Sequence, residues 1–285
     1  MEIKITGANG YLGKLITNEL ENRGYKFSAI SRELLYSSPQ KLSNELAGSI
    51  AVINLAGAPV LRRWSKKNRE VIYNSRVKTA QNIVSAVNLL PNELRPKRII
   101  TASAIGVYKS DKLHDENSVD FDPGFLGNLV RDWESVWKKL PENISMTIFR
   151  IAVVLGSKAV TVKMMALPFK LGIGGKIGNG KQPFPFIHEK DVSEAFLKAL
   201  DNKLSPGIYN LAAPGQITNE DFTKAFASTL RRPALFRVPA FVLKAFYGEA
   251  AGLLTNSPAV IPAKLLEAGF EFKFPTIEAV LKDIL

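Results

Sequence analysis

Cysteine is absent from the 285 residues of this chain, and histidine occurs only twice. Without cysteine the chain forms no disulfide, has no thiol nucleophile and lacks a cysteine metal site. The two histidines, His114 and His188, lie far apart in the sequence, so we expect no metal site. No apolar run approaches the ~20 residues of a membrane-spanning helix. These absences predict a protein of the reducing cytoplasm without a membrane partner.

Acidic residues are also few relative to basic ones. The chain has 26 Asp and Glu against 38 Lys and Arg, which gives a formal net charge of +12. Such a charge is compatible with nucleic-acid binding. However, the basic residues are scattered and do not form the aromatic-interleaved basic motifs typical of RNA-binding proteins. We therefore expect no nucleic-acid partner, and a basic surface that attracts anionic small molecules.

The N-terminal segment contains a strand, a glycine turn, a helix and a second strand. Glycines stand at positions 7, 10 and 13 in the spacing GxxGxxG, and the second strand ends near Ile30. This order is typical of the first unit of a dinucleotide-binding sheet, although a structural turn in another α/β domain is the alternative. Gly7 permits the tight turn, Gly10 lets the backbone approach a pyrophosphate, and Gly13 lets the helix pack closely. The expected cofactor contacts in this turn are Gly7, Ala8, Asn9, Gly10, Tyr11 and Leu12.

The residues after the second strand distinguish between the two dinucleotides. NAD-binding chains usually place Asp or Glu there, where the carboxylate accepts from the ribose 2′-OH. This chain has Ser31 and Arg32 instead, and a hydroxyl and a guanidinium suit a 2′-phosphate. The pattern favours NADP(H), while the adjacent Glu33 keeps NAD(H) open and Arg32 could be an ordinary surface charge.

Strands and helices alternate along the first half of the chain. This alternation predicts an α/β fold with a Rossmann-type, doubly wound parallel sheet. The carboxyl ends of its strands should share one crevice. The expected elements after Ile30 are a helix from Ser38-Pro39 to Leu46, a buried strand Ile50 to Leu55, a helix Lys66 to Leu89, a strand Arg98 to Ala102, a helix Gly127 to Leu140 and a strand Ser145 to Val154.

From about Val160 the pattern changes, and a glycine-dense segment follows at 171–180. We expect Asp191 to cap a helix that runs from Val192 to Leu200, and further helices near the C-terminus. We predict that residues 1–157 form an NADP-binding Rossmann domain, to which residues 186–212 return. Residues 158–185 and 213–285 should form a smaller, mostly helical substrate-binding lobe.

Several motifs resemble the extended, epimerase-like short-chain dehydrogenase/reductase superfamily. They are Thr6-Gly7-x-x-Gly10-x-x-Gly13, Asn54-Leu55-Ala56-Gly57, Thr101-Ala102-Ser103 and Phe186-Ile187-His188-x-x-Asp191. The chain is similar in particular to the "epimerase family" group, through Arg63-Trp64, Asn74-Ser75-Arg76, Arg131-Asp132-Trp133-Glu134, the segment 171–180 and Ala268-Gly269-Phe270. The resemblance implies a Rossmann fold and NADP(H) binding, without a well-established reaction. The further cofactor contacts expected in the crevice are Leu55, Ala56, Gly57, Arg76, Thr101 and Val153.

The chain departs from the superfamily at its catalytic motif. Members use Tyr-x-x-x-Lys, in which the tyrosine transfers a proton and the lysine lowers its pKa. Counted back from Glu134, these two positions hold Leu126 and Val130, which cannot do acid–base chemistry. The candidate catalytic hydroxyls are therefore Ser103, where the superfamily keeps a hydroxyl, and Tyr108. Ser103 could equally be a structural side chain, and for Tyr108 a packed ring with its hydroxyl at the rim is the favoured alternative.

Two functions remain open at this stage. The first is an NADP(H)-dependent reductase or epimerase that acts on an unidentified small carbonyl compound or nucleotide sugar. The alternative is a non-catalytic NADP(H)-binding regulatory or sensor protein. The absence of an acid–base side chain at positions 126 and 130 favours this alternative. A homodimer is possible in either case. The sequence identifies neither the substrate nor the direction of reaction.

Overall fold

The computed structural model describes residues 2–110 and 112–285. Its strands, in chain order, are β1 (Ile3–Thr6), β2 (Phe27–Ile30), β3 (Ala51–Asn54), β4 (Arg98–Ala104), β5 (Leu113–His114), β6 (Ser145–Ile151), β7 (Val153–Leu155), β8 (Gly175–Ile177), β9 (Phe186–His188), β10 (Gly207–Leu211), β11 (Phe236–Val238) and β12 (Ala259–Val260).

The helices surround these strands. They are α1 (Tyr11–Asn22), α2 (Arg32–Leu35), α3 (Pro39–Leu46), α4 (Lys66–Tyr73), α5 (Thr79–Leu89), α6 (Phe125–Trp137), α7 (Val160–Lys170), α8 (Glu189–Leu200), α9 (Asn219–Leu230), α10 (Ala240–Tyr247), α11 (Gly252–Thr255), α12 (Ala263–Glu267) and α13 (Ile277–Ile284). A π-helical segment, Asn74–Lys78, joins α4 to α5, so the predicted long helix is continuous but widened in the middle.

A six-stranded parallel sheet forms the centre of the fold, in the order β10-β6-β4-β3-β1-β2. The order reverses direction at β1 and β3, as in a doubly wound sheet, so the predicted Rossmann-type α/β fold is confirmed. All residues of β3 are buried because helices cover both faces of the sheet. One apolar cluster includes Ile16 of α1 and Phe196 of α8, and another includes Leu42 of α3, Ile83 of α5 and Trp133 of α6.

A third apolar cluster lies in the C-terminal half and includes Phe169, Phe226 and Leu281. It joins α7, α9 and α13, and a two-stranded parallel sheet of β8 and β11 lies beside it. Over residues 2–110 and 112–285, no helix is long and apolar enough to span a membrane.

The predicted helix start at Asp191 is wrong. The helix α8 begins at Glu189, and the His188 ring accepts from the Lys190 N–H at 3.1 Å as its N-cap. The Asp191 carboxylate instead accepts from the backbone N–H groups of Lys273 and Phe274, at 2.8 Å and 3.1 Å. Asp191 therefore ties α8 to the C-terminal segment.

Candidate functional site

The glycine turn after β1 is packed tightly against the end of β3. Gly7 has φ +71°, and a Cβ atom there would lie 2.7 Å from the carbonyl oxygen of Leu55. A Cβ atom on Gly13 would overlap the Gly7 carbonyl oxygen, so α1 can lie on the turn only because this position is glycine. The turn closes with a hydrogen bond from the Gly10 N–H to Gly7 O at 2.9 Å. The packing brings Gly7, Leu55 and Ala56 together at one edge of the sheet.

The N-terminus of α1 faces this edge without a side-chain cap. Gly10 is the N-cap residue, no side chain accepts from the first turn, and that turn contains no acidic residue. The N–H groups of Tyr11, Leu12 and Gly13 therefore have no partner inside the helix. Because the helix dipole adds partial positive charge at this end, the N-terminus favours an anion. Asn9 and Gly10 are exposed, so a ligand can reach it.

Tyr11 is placed differently from the rest of the turn. Its hydroxyl donates to the Glu189 carboxylate at the start of α8. Burial and this carboxylate raise the pKa of Tyr11, so the phenol keeps its proton. The Tyr11 side chain thus connects α1 to α8, and its backbone N–H remains at the open helix end.

Ser31 and Arg32 lie at the end of β2, beside the glycine turn. The Ser31 hydroxyl accepts from the Leu34 N–H at 3.2 Å as the N-cap of α2. Arg32 is exposed, and its guanidinium carbon lies 5.9 Å from the ring centroid of Tyr36. Within residues 2–110 and 112–285 Arg32 forms no salt bridge, so its charge is open to a solution anion.

A buried row of polar side chains crosses three strands behind the turn. Thr6, Asn54 and Thr101 are neighbours in register on β1, β3 and β4. The Thr6 hydroxyl donates to Asn54 Oδ1 at 2.7 Å, and Asn54 Nδ2 donates to the Thr101 hydroxyl at 2.9 Å. Thr6 Oγ1 also accepts from the backbone N–H groups of Leu55 and Ala56. The Thr101 side chain therefore supports the segment after β3 from inside the sheet.

Arg76 lies in the π-helical segment and reaches the same segment after β3. Its Nη1 donates to the Ala58 carbonyl oxygen at 2.9 Å, and Nη2 lies 2.9 Å from the position of a Cβ atom on Gly57. The guanidinium also lies 5.6 Å from the Trp133 ring centroid. Burial lowers the pKa of Arg76 to about 10, so it remains charged at neutral pH. Among the described residues it forms no salt bridge, although buried cations are usually paired.

Ser103 and Tyr108 are brought into one buried network by a salt bridge. The Ser103 hydroxyl donates to Glu134 Oε1 at 2.6 Å. Arg150 donates to both oxygens of Glu134, from Nε at 2.9 Å and from Nη2 at 2.6 Å, and its Nη1 donates to the Tyr108 hydroxyl at 2.7 Å. The strand register explains why these side chains lie together, because Ser103, Arg150 and Asn210 are neighbours on β4, β6 and β10. Both candidate hydroxyls are thus engaged within the protein.

The Tyr108 hydroxyl has two further contacts. It lies 2.9 Å from Asn210 Oδ1 and 3.0 Å from the Asp115 carbonyl oxygen, either of which can accept its proton. Tyr108 is 2% exposed and its ring stacks on His114. Burial raises the pKa of Tyr108, whereas the Arg150 charge acts in the opposite direction. The phenol is therefore neutral in this arrangement.

Glu134 and Arg150 are the site residues that sequence reasoning missed. In the sequence Glu134 is named only as part of the motif Arg131-Asp132-Trp133-Glu134, and the side chain is buried. The signal was present in the helical spacing, because Glu134 shares a face with Val130 and Trp137. Arg150 is the one charged residue of the strand β6, whose sequence is SMTIFRI, and a charge in such a strand indicates a buried partner.

The positions of the missing catalytic motif also lie on α6. Leu126 lies 3.5 Å, through its Cδ1 atom, from the position of a Cβ atom on Gly106, and Val130 is buried in the apolar core. Val153 begins β7 directly after the end of β6, at the same edge of the sheet. In the described part of the chain, no three His, Asp or Glu side chains are grouped as a metal site would require.

Comparison with known proteins gives a consistent set of similarities. Residues 3–125 match the NAD dependent epimerase/dehydratase family, and residues 238–284 match a domain of unknown function (DUF1731). The human epimerase family protein SDR39U1 is 32% identical, with 100% of both chains covered. An Arabidopsis thaliana homolog described as chloroplastic is 30% identical, with 100% of this chain and 87% of the relative covered. A crystal structure of human SDR39U1 with NADPH superimposes with a TM-score of 0.90 at 32% identity, covering 100% of this chain and 99% of the other.

Proposed function

Because the chain belongs to the SDR39U1 epimerase family, within the epimerase-like short-chain dehydrogenase/reductases, we propose that it binds NADP(H) in the crevice described above. The observation that carries this proposal is the pair of positive groups there that lack an acidic partner among the described residues, the open N-terminus of α1 and the Arg76 guanidinium. A dinucleotide brings a diphosphate to such a site. The NADPH complex of the human relative supports the proposal.

The residues of the crevice fit a dinucleotide by their chemistry. We assign the diphosphate to the backbone of Gly7, Ala8, Asn9 and Gly10 and to the N–H groups of Tyr11 and Leu12. The exposed Gly57 and its neighbours Leu55 and Ala56 would contact the dinucleotide along its length, with Arg76 donating to an anionic group. Thr101 would act indirectly through Asn54, and Val153 would lie at the nicotinamide end.

Ser31 and Arg32 support NADP(H) rather than NAD(H). The Ser31 hydroxyl accepts from the Leu34 N–H and hydrogen-bonds the adjacent Glu33 carboxylate, so it would turn its proton from Glu33 to a 2′-phosphate. The unpaired Arg32 guanidinium supplies charge at the same strand end. A charge-assisted hydrogen bond contributes about 1.5–3 kcal/mol, which corresponds to roughly a tenfold to hundredfold preference.

We further propose that the protein is an atypical reductase or epimerase for a small carbonyl compound or nucleotide sugar. NADP(H), when bound, supplies or accepts a hydride. With Leu126 and Val130 at the positions of the usual tyrosine and lysine, proton transfer falls to Ser103 or Tyr108. To act on a substrate, either hydroxyl must exchange an internal hydrogen bond for one to the substrate. Arg150, which donates to Tyr108, opposes the rise in the pKa of Tyr108 that burial causes, and this is the direction in which the superfamily lysine acts on its tyrosine.

A second candidate is a non-catalytic NADP(H) sensor. The observation that favours it is that the Ser103 and Tyr108 hydroxyls both have protein partners already. In this function the buried network around Glu134 and Arg150 would only stabilise the sheet. Binding of the cofactor in the crevice would change how the protein binds a partner. The two candidates share the cofactor site and differ in turnover.

The cofactor proposal is tested by fluorescence titration of the wild type and Arg32→Ala with NADPH and NADH. We expect the wild type to bind NADPH at least about tenfold more tightly, and Arg32→Ala to lose that preference while keeping NADH affinity. Lys139→Ala, which removes an exposed cation elsewhere, is the matched control. Equal wild-type affinities would refute the assignment of Arg32.

Turnover is tested separately, by following NADPH oxidation across a panel of small carbonyl compounds and nucleotide sugars. Oxidation that depends on one substrate class would establish the reductase, and isomer analysis of the sugars would detect an epimerase. NADPH binding without turnover across the panel would favour the sensor. The division into a Rossmann domain (1–157 with 186–212) and a substrate-binding lobe (158–185 and 213–285), a homodimer and a cytoplasmic location also stay proposals, open to limited proteolysis, solution mass measurement and cell fractionation.

A further inference from the structure

Two segments of the C-terminal half, 158–182 and 231–247, expose large apolar side chains. These side chains are between 49% and 85% exposed: Val160, Met164, Leu167, Leu171, Ile173, Leu235, Phe236, Phe241 and Phe246. Soluble monomers rarely leave so many large apolar groups in water within two short segments. We call the surface of these two segments the apolar–basic face.

The helix α7 contributes to this face because both of its sides are apolar. Val162, Ala166 and Phe169 point into the protein core. Val160, Met164 and Leu167, which recur at every third or fourth position, form a stripe that is exposed. An apolar stripe on the side of a helix away from the core has no role in the core and requires another apolar environment.

The helix α10 shows the same feature more strongly. Its sequence is AFVLKAFY, and none of its residues is buried. Phe241 and Phe246 are each 73% exposed. A short helix that buries none of its residues has little stability in water from helix propensity alone.

The two segments are neighbours in the fold. The strand β8 follows α7 and pairs in parallel with β11, which leads through Pro239 into α10. The Gly178 N–H also donates to the Val238 carbonyl oxygen at 2.9 Å. Because this pairing joins the segments, the exposed side chains of residues 171–173 and 235–236 lie on adjacent backbone.

The charge of the face is of one sign. The two segments contain nine Lys and Arg residues and no Asp or Glu. Eight of these cations are exposed: Lys158, Lys163, Lys170, Lys181, Arg231, Arg232, Arg237 and Lys244. The basic turn at 62–67 adjoins α10, because Arg63 lies within 3.5 Å of the Ala245 carbonyl oxygen. Exposed aromatic and aliphatic groups interleaved with cations are typical of protein surfaces that lie in a membrane interface.

In place of the sequence-based expectation of no membrane partner, we propose that the apolar–basic face docks on the surface of an anionic lipid bilayer. The phenylalanines and leucines would enter the headgroup region, and the lysines and arginines would contact lipid phosphates. A second copy of this chain is a poorer occupant, since it would place the same nine cations against each other. A nucleic acid would account for the cations but not for the exposed apolar stripe of α7.

The test is co-flotation of the full chain, with NADPH present, on two vesicle preparations. One is phosphatidylcholine alone, and the other contains about one third phosphatidylglycerol. We expect a partition coefficient at least about tenfold higher on the anionic vesicles, falling steeply as salt is raised well above about 0.1 M. Phe241→Ala/Phe246→Ala should lower it at least about tenfold, and Arg231→Ala/Arg232→Ala by about fivefold for each cation removed.

Matched controls distinguish the contribution of the apolar–basic face from that of any other exposed leucine or lysine. Leu89→Ala and Lys139→Ala remove an exposed leucine and an exposed lysine elsewhere and should leave the partition coefficient unchanged. Melting temperature and NADPH affinity of every variant verify that the fold is kept. The proposal is wrong if wild type does not float with anionic vesicles, or if the face variants float as wild type does. It is also wrong if the phenylalanine pair instead controls self-association, or if an oligonucleotide binds more tightly than the vesicles.

Discussion

Removal of the Glu134 carboxylate tests the buried network most directly. The Arg150 and Glu134 side chains are 5% and 9% exposed, and Glu134 accepts from Ser103 and twice from Arg150. Glu134→Ala leaves the Arg150 cation buried beside a neutral phenol. Loss of one member of a buried ion pair costs about 3–5 kcal/mol, because the remaining charge is uncompensated. For a chain of this size that corresponds to a fall in melting temperature of roughly 6–10 °C.

The assay is urea unfolding at 25 °C together with a thermal melt. Glu142→Ala, which removes an exposed glutamate nearby, should stay within about 0.5 kcal/mol of wild type. Glu134→Met/Arg150→Met removes both charges and should recover much of the loss. If Glu134→Ala lowers the free energy of unfolding by less than about 1 kcal/mol, Arg150 is solvated and the network is not buried in solution.

Three further outcomes are expected. Gly10→Val should abolish NADPH binding in a titration while the circular dichroism spectrum is kept, because the side chain would occupy the space that we assign to the diphosphate; normal uptake would place the phosphate elsewhere. On an identified substrate, Ser103→Ala and Tyr108→Phe should each lower turnover, and if neither does, the proton comes from water or from the substrate. The hydrogen-bonded ammonium group of Lys109 lowers the pKa of Asp120 to about 2. Because the folded pKa is the lower one, the stability of wild type over Asp120→Asn should be present above about pH 4 and disappear as the pH falls towards 2, as urea unfolding across that range would measure; a pH-independent difference would contradict this.

The strand–turn–helix order could be predicted because its determinants are local. Glycines at 7 and 13 are dictated by contacts within a few residues or with the adjacent strand, and the four-residue burial of β3 appears as an uninterrupted apolar run. The alternation of strands and helices then leaves few topologies other than a doubly wound sheet.

The remaining features depend on partners that are distant in the sequence. The pairing of β8 with β11 joins two three-residue strands whose local sequences carry no strong period. Arg150 lies opposite Ser103 only because β4 and β6 fix their register. Asp191 looked like a helix cap because its real partners, Lys273 and Phe274, lie near the other end of the chain.

The widened helix turn around Arg76 positions a side chain of the proposed site, whereas the fold itself does not require the widening. A π-helical turn contains one residue more than an α-helical turn of the same span, and here the Ile72 carbonyl oxygen accepts from the Ser75 hydroxyl at 2.9 Å. Deleting one residue within 74–78 should therefore yield an ordinary helix with α4 and α5 still in register. Such a deletion should keep the helix content and the melting transition but withdraw the guanidinium from Gly57, with weaker NADPH binding in a titration; unchanged affinity would contradict it. If the proposed function holds, one additional residue distinguishes an ordinary helix from one that contributes Arg76 to the cofactor site.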